Sequence, residues 1–448
     1  MTILFSNPPW WDIDLKTQQL LIGVRAGSRW PFTRYSCHNP GEFRPGGYIP
    51  FPFFLGSAAP YTQRLLPDAQ VILRDSIARG ESYEQFFTAL THIDPDWFVL
   101  ETATAAWDHD RELLYHLAAE HPKTKVILCG PLDCAKAPEI LKAHHNVAAI
   151  VQGEYDKQIA KVVRGARGLI SHDLLTVAEM NDAPFPIHDP ETIGNYWDAC
   201  PAGQKQPQLQ LITSRGCPYK CIFCVWPAVM TGNDPDGTRA RSVRCQSPEW
   251  VRDSIRYHIS EAKAKGIAYQ SIYLDDDTFN LTEKHTKGIS AVMAEIGLPW
   301  FAMCRADTIK RETWQLMRDS GCRGVKLGYE SGSQYVLDHI VNKRLDLKAA
   351  AETARWLKSI GFTVHGTFTV GLPGETLEQR NETIAYIKNL YETGGLDTHQ
   401  LSGTAEIEGT PLHTLKTTGE LAKYDGAKLA PEYVSNPDGA AKLRAMAL

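Results

Sequence analysis

The chain has 448 residues, of which 43% are hydrophobic and 22% charged, a balance typical of folded globular proteins. This length exceeds one usual domain, so two or three packed units are expected. The net charge of −5 argues against a general nucleic-acid binder, which normally carries an excess of basic residues. The sequence shows no secretory signal pattern and no apolar stretch of about 18 residues, so we expect a cytoplasmic protein without a membrane span.

Short apolar runs alternate with helical patterns over residues 1–165. The candidate strands are TILFSN, AQVILRD, DWFVLET, KVILCGP and AAIVQGE. The intervening segments SYEQFFTALTHI and DRELLYHLAAEH have apolar residues at helical spacing. This alternation predicts a doubly wound, Rossmann-like α/β domain with a parallel sheet. Because open parallel sheets bind ligands beyond the carboxyl ends of their strands, we expect this domain to hold a cofactor.

A second α/β alternation follows a predicted linker at residues 166–207, which is rich in proline and has no sustained periodicity. Its candidate strands are LQLITSR, QSIYLDD, WFAMCRAD, GVKLGYES and TVHGTFTVGLPGE, with a possible sixth at THQLSGTAE. Repeated βα units predict a partial TIM-type (β/α)6 barrel over residues 208–410, with active residues at the strand carboxyl ends. Residues 411–448 are expected to form a short C-terminal extension.

Three of the ten cysteines, Cys217, Cys221 and Cys224, lie close together in RGCPYKCIFC, directly after a predicted strand. A loop in this position can converge three thiolates on one point. Zinc sites usually have four ligands and paired cysteines, whereas a lone trio suits a cubane iron–sulfur cluster with one open iron. The alternatives are three incidental thiols and a zinc site that a distant histidine completes.

The CxxxCxxC spacing, with Phe223 before the last cysteine, resembles the cluster loop of the radical S-adenosylmethionine superfamily. Further runs match the motifs of that family in order: YLDDDTFN, MCRAD, LGYESGSQYVLDHI and VHGTFTVGLPGET. The resemblance covers residues 208 to about 410. It implies a 4Fe-4S cluster whose open iron binds S-adenosylmethionine and whose electron cleaves it to a 5′-deoxyadenosyl radical.

The resemblance also implies the residues that contact S-adenosylmethionine, namely Asp275, Asp277, Arg305, Glu330, Ser331 and Gly371. Strand-end carboxylates can bind ribose hydroxyls or an ammonium group, and Arg305 can pair with a carboxylate. Other interpretations stay open for each residue. A strand-end acid is as often a helix N-cap, Arg305 can anchor a neighbouring loop, and a glycine such as Gly371 can simply form a turn.

Residues 1–165 resemble the cobalamin-binding domain that precedes the radical core in one large subgroup. The resemblance rests on NPP, VILRDS, ETATAAWD, LCGPLD and VQGE, and it implies cobalamin contacts at Thr102, Thr104, Gly130, Gly153 and Glu154. The Asp-x-His-x-x-Gly loop of other cobalamin enzymes is missing, which fits a cobalt without a histidine below it. The long loop 25–48, with Arg29, Trp30 and Arg34, is expected to cover the site. A domain that binds only substrate or protein remains an alternative.

Together the two resemblances imply a cobalamin-dependent radical S-adenosylmethionine methyltransferase. It would transfer a methyl group from methylcobalamin to an unactivated carbon, less often phosphorus, of a small molecule after the 5′-deoxyadenosyl radical has abstracted a hydrogen. No general acid or base is assigned, and an electron donor such as flavodoxin or ferredoxin is implied. The alternatives are a cobalamin-dependent oxidoreductase or cyclase without methyl transfer, and an iron–sulfur electron carrier or sensor. The nucleotide motifs argue against a carrier, which needs no open iron.

Overall fold

The computed structural model describes residues 1–13, 20–23, 32–34, 48–103, 106–132, 134–232, 234, 237–404 and 406–419. Its strands are β1 (Thr2–Asn7), β2 (Trp11–Ile13), β3 (Leu20–Gly23), β4 (Phe32–Arg34), β5 (Tyr48–Ile49), β6 (Gln70–Asp75), β7 (Trp97–Glu101), β8 (Lys125–Cys129), β9 (Val147–Val151), β10 (Gly168–Ile170), β11 (Trp197–Asp198), β12 (Gln208–Leu211), β13 (Ser214–Arg215), β14 (Arg244–Cys245), β15 (Ser271–Leu274), β16 (Trp300–Cys304), β17 (Cys322–Glu330), β18 (Thr363–Val370) and β19 (Thr398–Gly403).

The α-helices are α1 (Phe53–Leu65), α2 (Ser76–Arg79), α3 (Tyr83–Ile93), α4 (Trp107–Glu120), α5 (Ala137–Ala143), α6 (Gln158–Val163), α7 (Val177–Asp182), α8 (Pro248–Ala264), α9 (Glu283–Ile296), α10 (Arg311–Asp319), α11 (Leu347–Ser359), α12 (Leu377–Glu392) and α13 (Pro411–Thr417). Two π-helical segments, Trp226–Met230 and Val336–Val341, follow the cysteine loop and β17 respectively.

The first sheet has six parallel strands in the order β10-β9-β8-β7-β1-β6. The chain runs from β1 to β6 on one side and then returns to β7 on the other, so the topological switch point lies between β1 and β7. Helices cover both faces, which explains why β7 is buried along its whole length. The predicted doubly wound domain is confirmed. The sheet also contains β10, which lies beyond the expected boundary at residue 165. The sequence does not reveal this strand, because three residues are too few to give a strand pattern.

The second sheet has six parallel strands in the sequential order β12-β15-β16-β17-β18-β19, with helices between them. This is the predicted partial barrel, and the possible sixth strand is confirmed as β19. The predicted strand LQLITSR is divided, because the backbone N–H of Thr213 donates to Asp276 Oδ1 at 2.9 Å instead of to the sheet. The chain then continues as β13, which pairs with β14 in a separate antiparallel ribbon.

The two α/β units share a hydrophobic cluster. Trp226 and Met230, which follow the cysteine loop, belong to the same hydrophobic cluster as Phe54 and Tyr155 of the first unit. The rings of Phe54 and Trp226 stack with their centroids 5.7 Å apart. The segment expected to be a linker contains the short helix α7, which a capping box at Thr176 begins. Packing therefore holds the first unit directly against the segment that carries the cysteines.

Candidate active site

The cysteine loop begins immediately after β13, as the sequence predicts. Cys217 is buried and Cys221 and Cys224 are half-buried, and none of the three forms a disulfide bond. The Cys217 Sγ atom lies 3.8 Å from Thr278 Oγ1. Among the described residues, no three His, Cys, Asp or Glu side chains form a site for a single metal ion. A cubane cluster is a different case, because each thiolate binds its own iron.

The start of the loop is anchored by its backbone. The N–H of Gly216 donates to Asp277 Oδ2 at 3.1 Å. Gly216 has a φ of 95°, and a Cβ there would lie 2.2 Å from the carbonyl oxygen of Ser242. Only glycine fits this position, since both the backbone conformation and the close approach exclude a side chain. The anchor ties Cys217 to the carboxyl end of β15.

Buried charges surround the middle of the loop. Burial raises the pKa of the Cys217 thiol to about 11, and it raises the pKa of Cys221 as well, although the neighbouring cations Lys343 and Arg305 oppose that rise. Lys343 Nζ pairs with Glu330 Oε1 at 2.9 Å, and the lysine is buried. Glu330 has a positive φ of 68°, a strained conformation for a non-glycine residue that is common at functional sites.

A cavity opens beside the loop, between the carboxyl-end sides of the two sheets. The first unit contributes Phe53 and Phe54, and the remaining lining residues are Ile212, Ser214, Arg215, Trp226, Thr231, Asp275 and Asp277. Two of the residues predicted to contact S-adenosylmethionine, Asp275 and Asp277, therefore lie on one wall. Carboxylates on a wall of this kind can bind an ammonium group or hydroxyls. Their neighbour Asp276 instead points away, accepting hydrogen bonds from Thr213 and Ser214.

Arg305 and Glu330 lie next to the loop but already have partners in the chain. The Arg305 guanidinium donates to Asp307 at 2.8 and 2.9 Å and lies 3.7 Å from the ring centre of Tyr219, a residue of the cysteine loop. Glu330 pairs with Lys343 and also accepts from Thr369 Oγ1 at 3.2 Å. Arg305 therefore contacts the cysteine loop through the ring of Tyr219.

Ser331 and Gly371 take part in local turns. Ser331 is fully buried, its Oγ lies 3.1 Å from Thr383 Oγ1, and it accepts from the N–H of Ser333. The N–H of Gly371 donates to Glu375 Oε2 at 2.7 Å, and Gly371 has a φ of 76°. Neither residue lines the cavity beside the cysteine loop.

The residues predicted to contact cobalamin are only partly brought together. Gly130 and Gly153 form a backbone bridge, and a Cβ on Gly130 would lie 2.6 Å from the carbonyl oxygen of Thr102. The Thr102 hydroxyl is fully buried and donates to Asp110 Oδ2 at 2.5 Å. These three residues are therefore near one another, but the chain itself fills the space beside them. Thr104 lies outside the described residues, as do Arg29 and Trp30, whereas Arg34 belongs to β4.

Glu154 lies in an ion-pair network that joins the two units. Arg215 Nη1 lies 2.9 Å from Glu154 Oε2 and 2.8 Å from Asp156 Oδ2. Arg244, which pairs with Arg215 across the β13–β14 ribbon, also binds Glu154. All four side chains are buried. The sequence analysis did not single out Arg215, although its position two residues before Cys217 was a usable signal.

The linker contacts the first sheet at β6, the outer strand on the side away from β10. Asp75, at the end of β6, accepts from Asn7 Nδ2 at 2.9 Å and from the Tyr196 hydroxyl at 3.1 Å. Its backbone N–H donates to Asp189 Oδ2, which also pairs with Arg79. Burial raises the pKa of Asp75 to about 7. This part of the edge is therefore covered by the chain.

A second cavity adjoins the switch point of the first sheet. It is lined by the residues that follow β1 and by the first turns of α3 and α4, namely Pro8, Pro9, Tyr83, Phe86, Phe87, His109, Glu112 and Leu113. The mixture of aromatic walls with a few polar groups is usual for cofactor pockets. Its position agrees with the rule that doubly wound sheets bind ligands at this crevice.

Residues 211–387 match the model of the Radical SAM superfamily. An uncharacterized methyltransferase of Pyrococcus horikoshii is 24% identical over 369 residues, which are 77% of this chain and 74% of the relative. The cytidylyl-2-hydroxyethylphosphonate methyltransferase of Streptomyces wedmorensis is 28% identical over 54% of this chain but only 44% of its own length. This chain is therefore similar to named methyltransferases, and it spans less than half of the second one.

Two solved structures share the fold of nearly the whole chain. The cobalamin-dependent S-adenosylmethionine radical enzyme OxsB, with aqua-cobalamin bound, has a TM-score of 0.60 and 16% identity over 97% of this chain and 58% of its own. The methyltransferase TsrM from Kitasatospora setae has a TM-score of 0.62 and 15% identity over 94% of this chain and 76% of its own. Helices of the length and apolarity that a bilayer span requires are missing from the described part of the chain.

Proposed function

We propose that this chain, whose residues 211–387 match the model of the Radical SAM superfamily, is a cobalamin-dependent methyltransferase that acts on a small molecule. The observation that carries the proposal is the cavity beside the cysteine loop, which lies between the ligand-binding sides of both sheets. An enzyme with a cofactor on each sheet needs such a shared space, because both cofactors must reach one substrate.

The cysteine loop fits a 4Fe-4S cluster. Cys217, Cys221 and Cys224 supply three thiols from one loop, which is the donor set that a cubane with one open iron requires. Asp275 and Asp277 would bind S-adenosylmethionine from the adjoining wall, while Arg305 and Glu330 would act through the loop that they contact. When bound, the cluster and S-adenosylmethionine would supply the radical. A low-potential donor such as flavodoxin or ferredoxin would reduce the cluster.

In the first unit, the cavity at the switch point is our proposed site for cobalamin. Only some of the residues predicted to contact cobalamin can take part in such a site. The second cavity can take part of the cofactor, and Gly130 and Gly153 can offer only backbone groups, since neighbouring atoms fill their side-chain space. We assign Glu154 to the contact between the units, because its carboxylate pairs with Arg215 and Arg244. The proposal places cobalamin on residues 1–165 and the radical chemistry on residues 208–410, with 166–207 between them and 411–448 as an extension.

Cofactor binding is tested on anaerobically reconstituted protein. We expect about four irons and four sulfides per chain, and we expect the triple variant Cys217→Ala, Cys221→Ala, Cys224→Ala to lose them. The cob(II)alamin form should give an electron paramagnetic resonance spectrum without splitting from an axial nitrogen. Protein that keeps its cluster in the triple variant, or that retains no corrin, would contradict the proposal.

Methyl transfer is tested with methyl-labelled S-adenosylmethionine and a strong reductant before any substrate is added. The methyltransferase proposal predicts label in the corrin fraction and an equal amount of S-adenosylhomocysteine. The triple cysteine variant should keep this step, since it is a polar displacement, but it should form no 5′-deoxyadenosine. A corrin fraction without label, and no S-adenosylhomocysteine, would contradict methyl transfer and would instead favour an oxidoreductase or cyclase.

A further inference from the structure

We propose that the segment 406–419, which includes α13, is a cover over the cysteine loop that keeps solvent and dissolved oxidants away from the cluster, with Leu412 as its central contact. The inference rests on the proposed function, because it presumes a cluster on this loop. Helix α13 begins at the N-cap Thr410, whose hydroxyl accepts from the N–H of His413, and Pro411 occupies its first position. Both features are standard helix-start signals.

The backbone of the cysteine loop lies between two helical segments. The N–H of Ile222 donates to the carbonyl of Val341 at 3.1 Å, and the N–H of Leu412 donates to the carbonyl of Ile222 at 2.8 Å. Ile222 is the residue next to Cys221, so these hydrogen bonds fix the loop at the position of its middle thiol. The cover therefore contacts the loop itself rather than a neighbouring surface.

A separate hydrophobic cluster seals this contact. It consists of Ile222, Val336, Ile340, Val341, Leu372 and Leu412, with Cys221, Phe223 and Leu415 packed against it. The exposed fraction of Leu412 is only 3%. Buried apolar side chains exclude water wherever they pack closely, so this cluster closes one side of the loop.

The start of the segment is fastened at several points. Glu406 pairs with His413 at 3.0 Å and also with Lys416, which ties the start of the segment to its helix. Glu408 pairs with Lys136 of the first unit. Gly409 has a φ of 82°, and a Cβ there would lie 2.8 Å from Val229, so the segment also passes close to the π-helical turn after the cysteines. The cover is thus fixed to both units.

The test compares two Leu→Ala substitutions in full-length, anaerobically reconstituted protein. Leu412→Ala removes the central contact of the cover, whereas Leu357→Ala removes an equally buried side chain of α11 in the barrel core. On transfer to air-saturated buffer, the cluster absorbance of Leu412→Ala should bleach about tenfold faster or more than that of the wild type, because a lost core contact of this kind raises local opening by at least that factor. Leu357→Ala should bleach at nearly the wild-type rate.

A second measurement needs no cluster. In metal-free protein, iodoacetamide should alkylate Cys221 about tenfold faster in Leu412→Ala than in the wild type or in Leu357→Ala, as followed by peptide mass spectrometry. Equal bleaching rates and equal alkylation rates in the two variants would contradict the proposal that segment 406–419 covers the loop. Wild-type protein that assembles no cluster would instead sink the proposed function, and the alkylation rates would still decide whether segment 406–419 covers the loop.

Discussion

The carboxyl edges of the two sheets differ in what occupies them. On the second sheet, Asp275 and Asp277 border a cavity beside the cysteine loop. On the first sheet, Asp75 binds the linker through Tyr196, and Glu154 binds Arg215. Acidic residues at strand ends thus border a cavity on one sheet and make contacts within the chain on the other. The sequence can therefore predict that an acidic residue lies at the end of a strand. Which group that residue binds depends on the segment that packs against the strand end.

The largest expected effect comes from breaking the contact at Glu154. Arg215→Met leaves Asp156 buried without its ion-pair partner and leaves Glu154 with Arg244 alone, so we expect the free energy of unfolding to fall by about 3–5 kcal/mol. The matched control Arg256→Met removes an exposed partner of Glu295 and should cost below about 1 kcal/mol. Urea unfolding of the metal-free protein measures both. Equal losses would show that the network contributes no more than a surface pair.

A smaller effect is expected on the second sheet. Asp277→Asn keeps an acceptor for the N–H of Gly216 but removes the charge, so the dissociation constant of S-adenosylmethionine should rise about tenfold or more. Asp253→Asn, whose carboxylate pairs with Arg252 on α8 away from the cavity, is the control. Equilibrium dialysis of reconstituted protein gives both constants. An unchanged constant for Asp277→Asn would remove this residue from the nucleotide site.

A third expected effect, spread over several pH units, is a change of slope with pH. The pKa of Asp75 is raised from 3.8 to about 7 in the folded protein, so between these values the folded chain keeps a proton that the unfolded chain has lost. The contribution of Asp75 to stability therefore falls as pH rises from about 4 to 7, by at most about 1.4 kcal/mol per pH unit, and is constant above that range. Asp75→Asn should flatten this part of the profile, and the exposed control Asp68→Asn should not. Parallel profiles of stability against pH for Asp75→Asn and the wild type would contradict a raised pKa of Asp75 in the folded protein.

The sequence predicts the two sheets well because their strands are continuous apolar runs of adequate length. The strand β10 and helix α7 are missed because three and six residues are too few to show a period. The candidate site is predicted in part: the cysteine loop and the strand-end acids are found from their spacing. The pairing of Arg215 with Glu154 and the packing of Leu412 on Ile222 join residues distant in sequence, which no local pattern reveals.

The central claim, that two cofactors serve one substrate in the cavity between the sheets, is tested most directly by the nucleoside products of complete turnovers. The measurement is quantitative chromatography of S-adenosylhomocysteine, 5′-deoxyadenosine and methyl-labelled product, beginning with small molecules of the kinds that the named relatives methylate. The account predicts one S-adenosylhomocysteine and one 5′-deoxyadenosine for each methylated product, because one S-adenosylmethionine supplies the methyl group and a second supplies the radical. 5′-Deoxyadenosine formed with an oxidised or cyclised product that carries no label would contradict it.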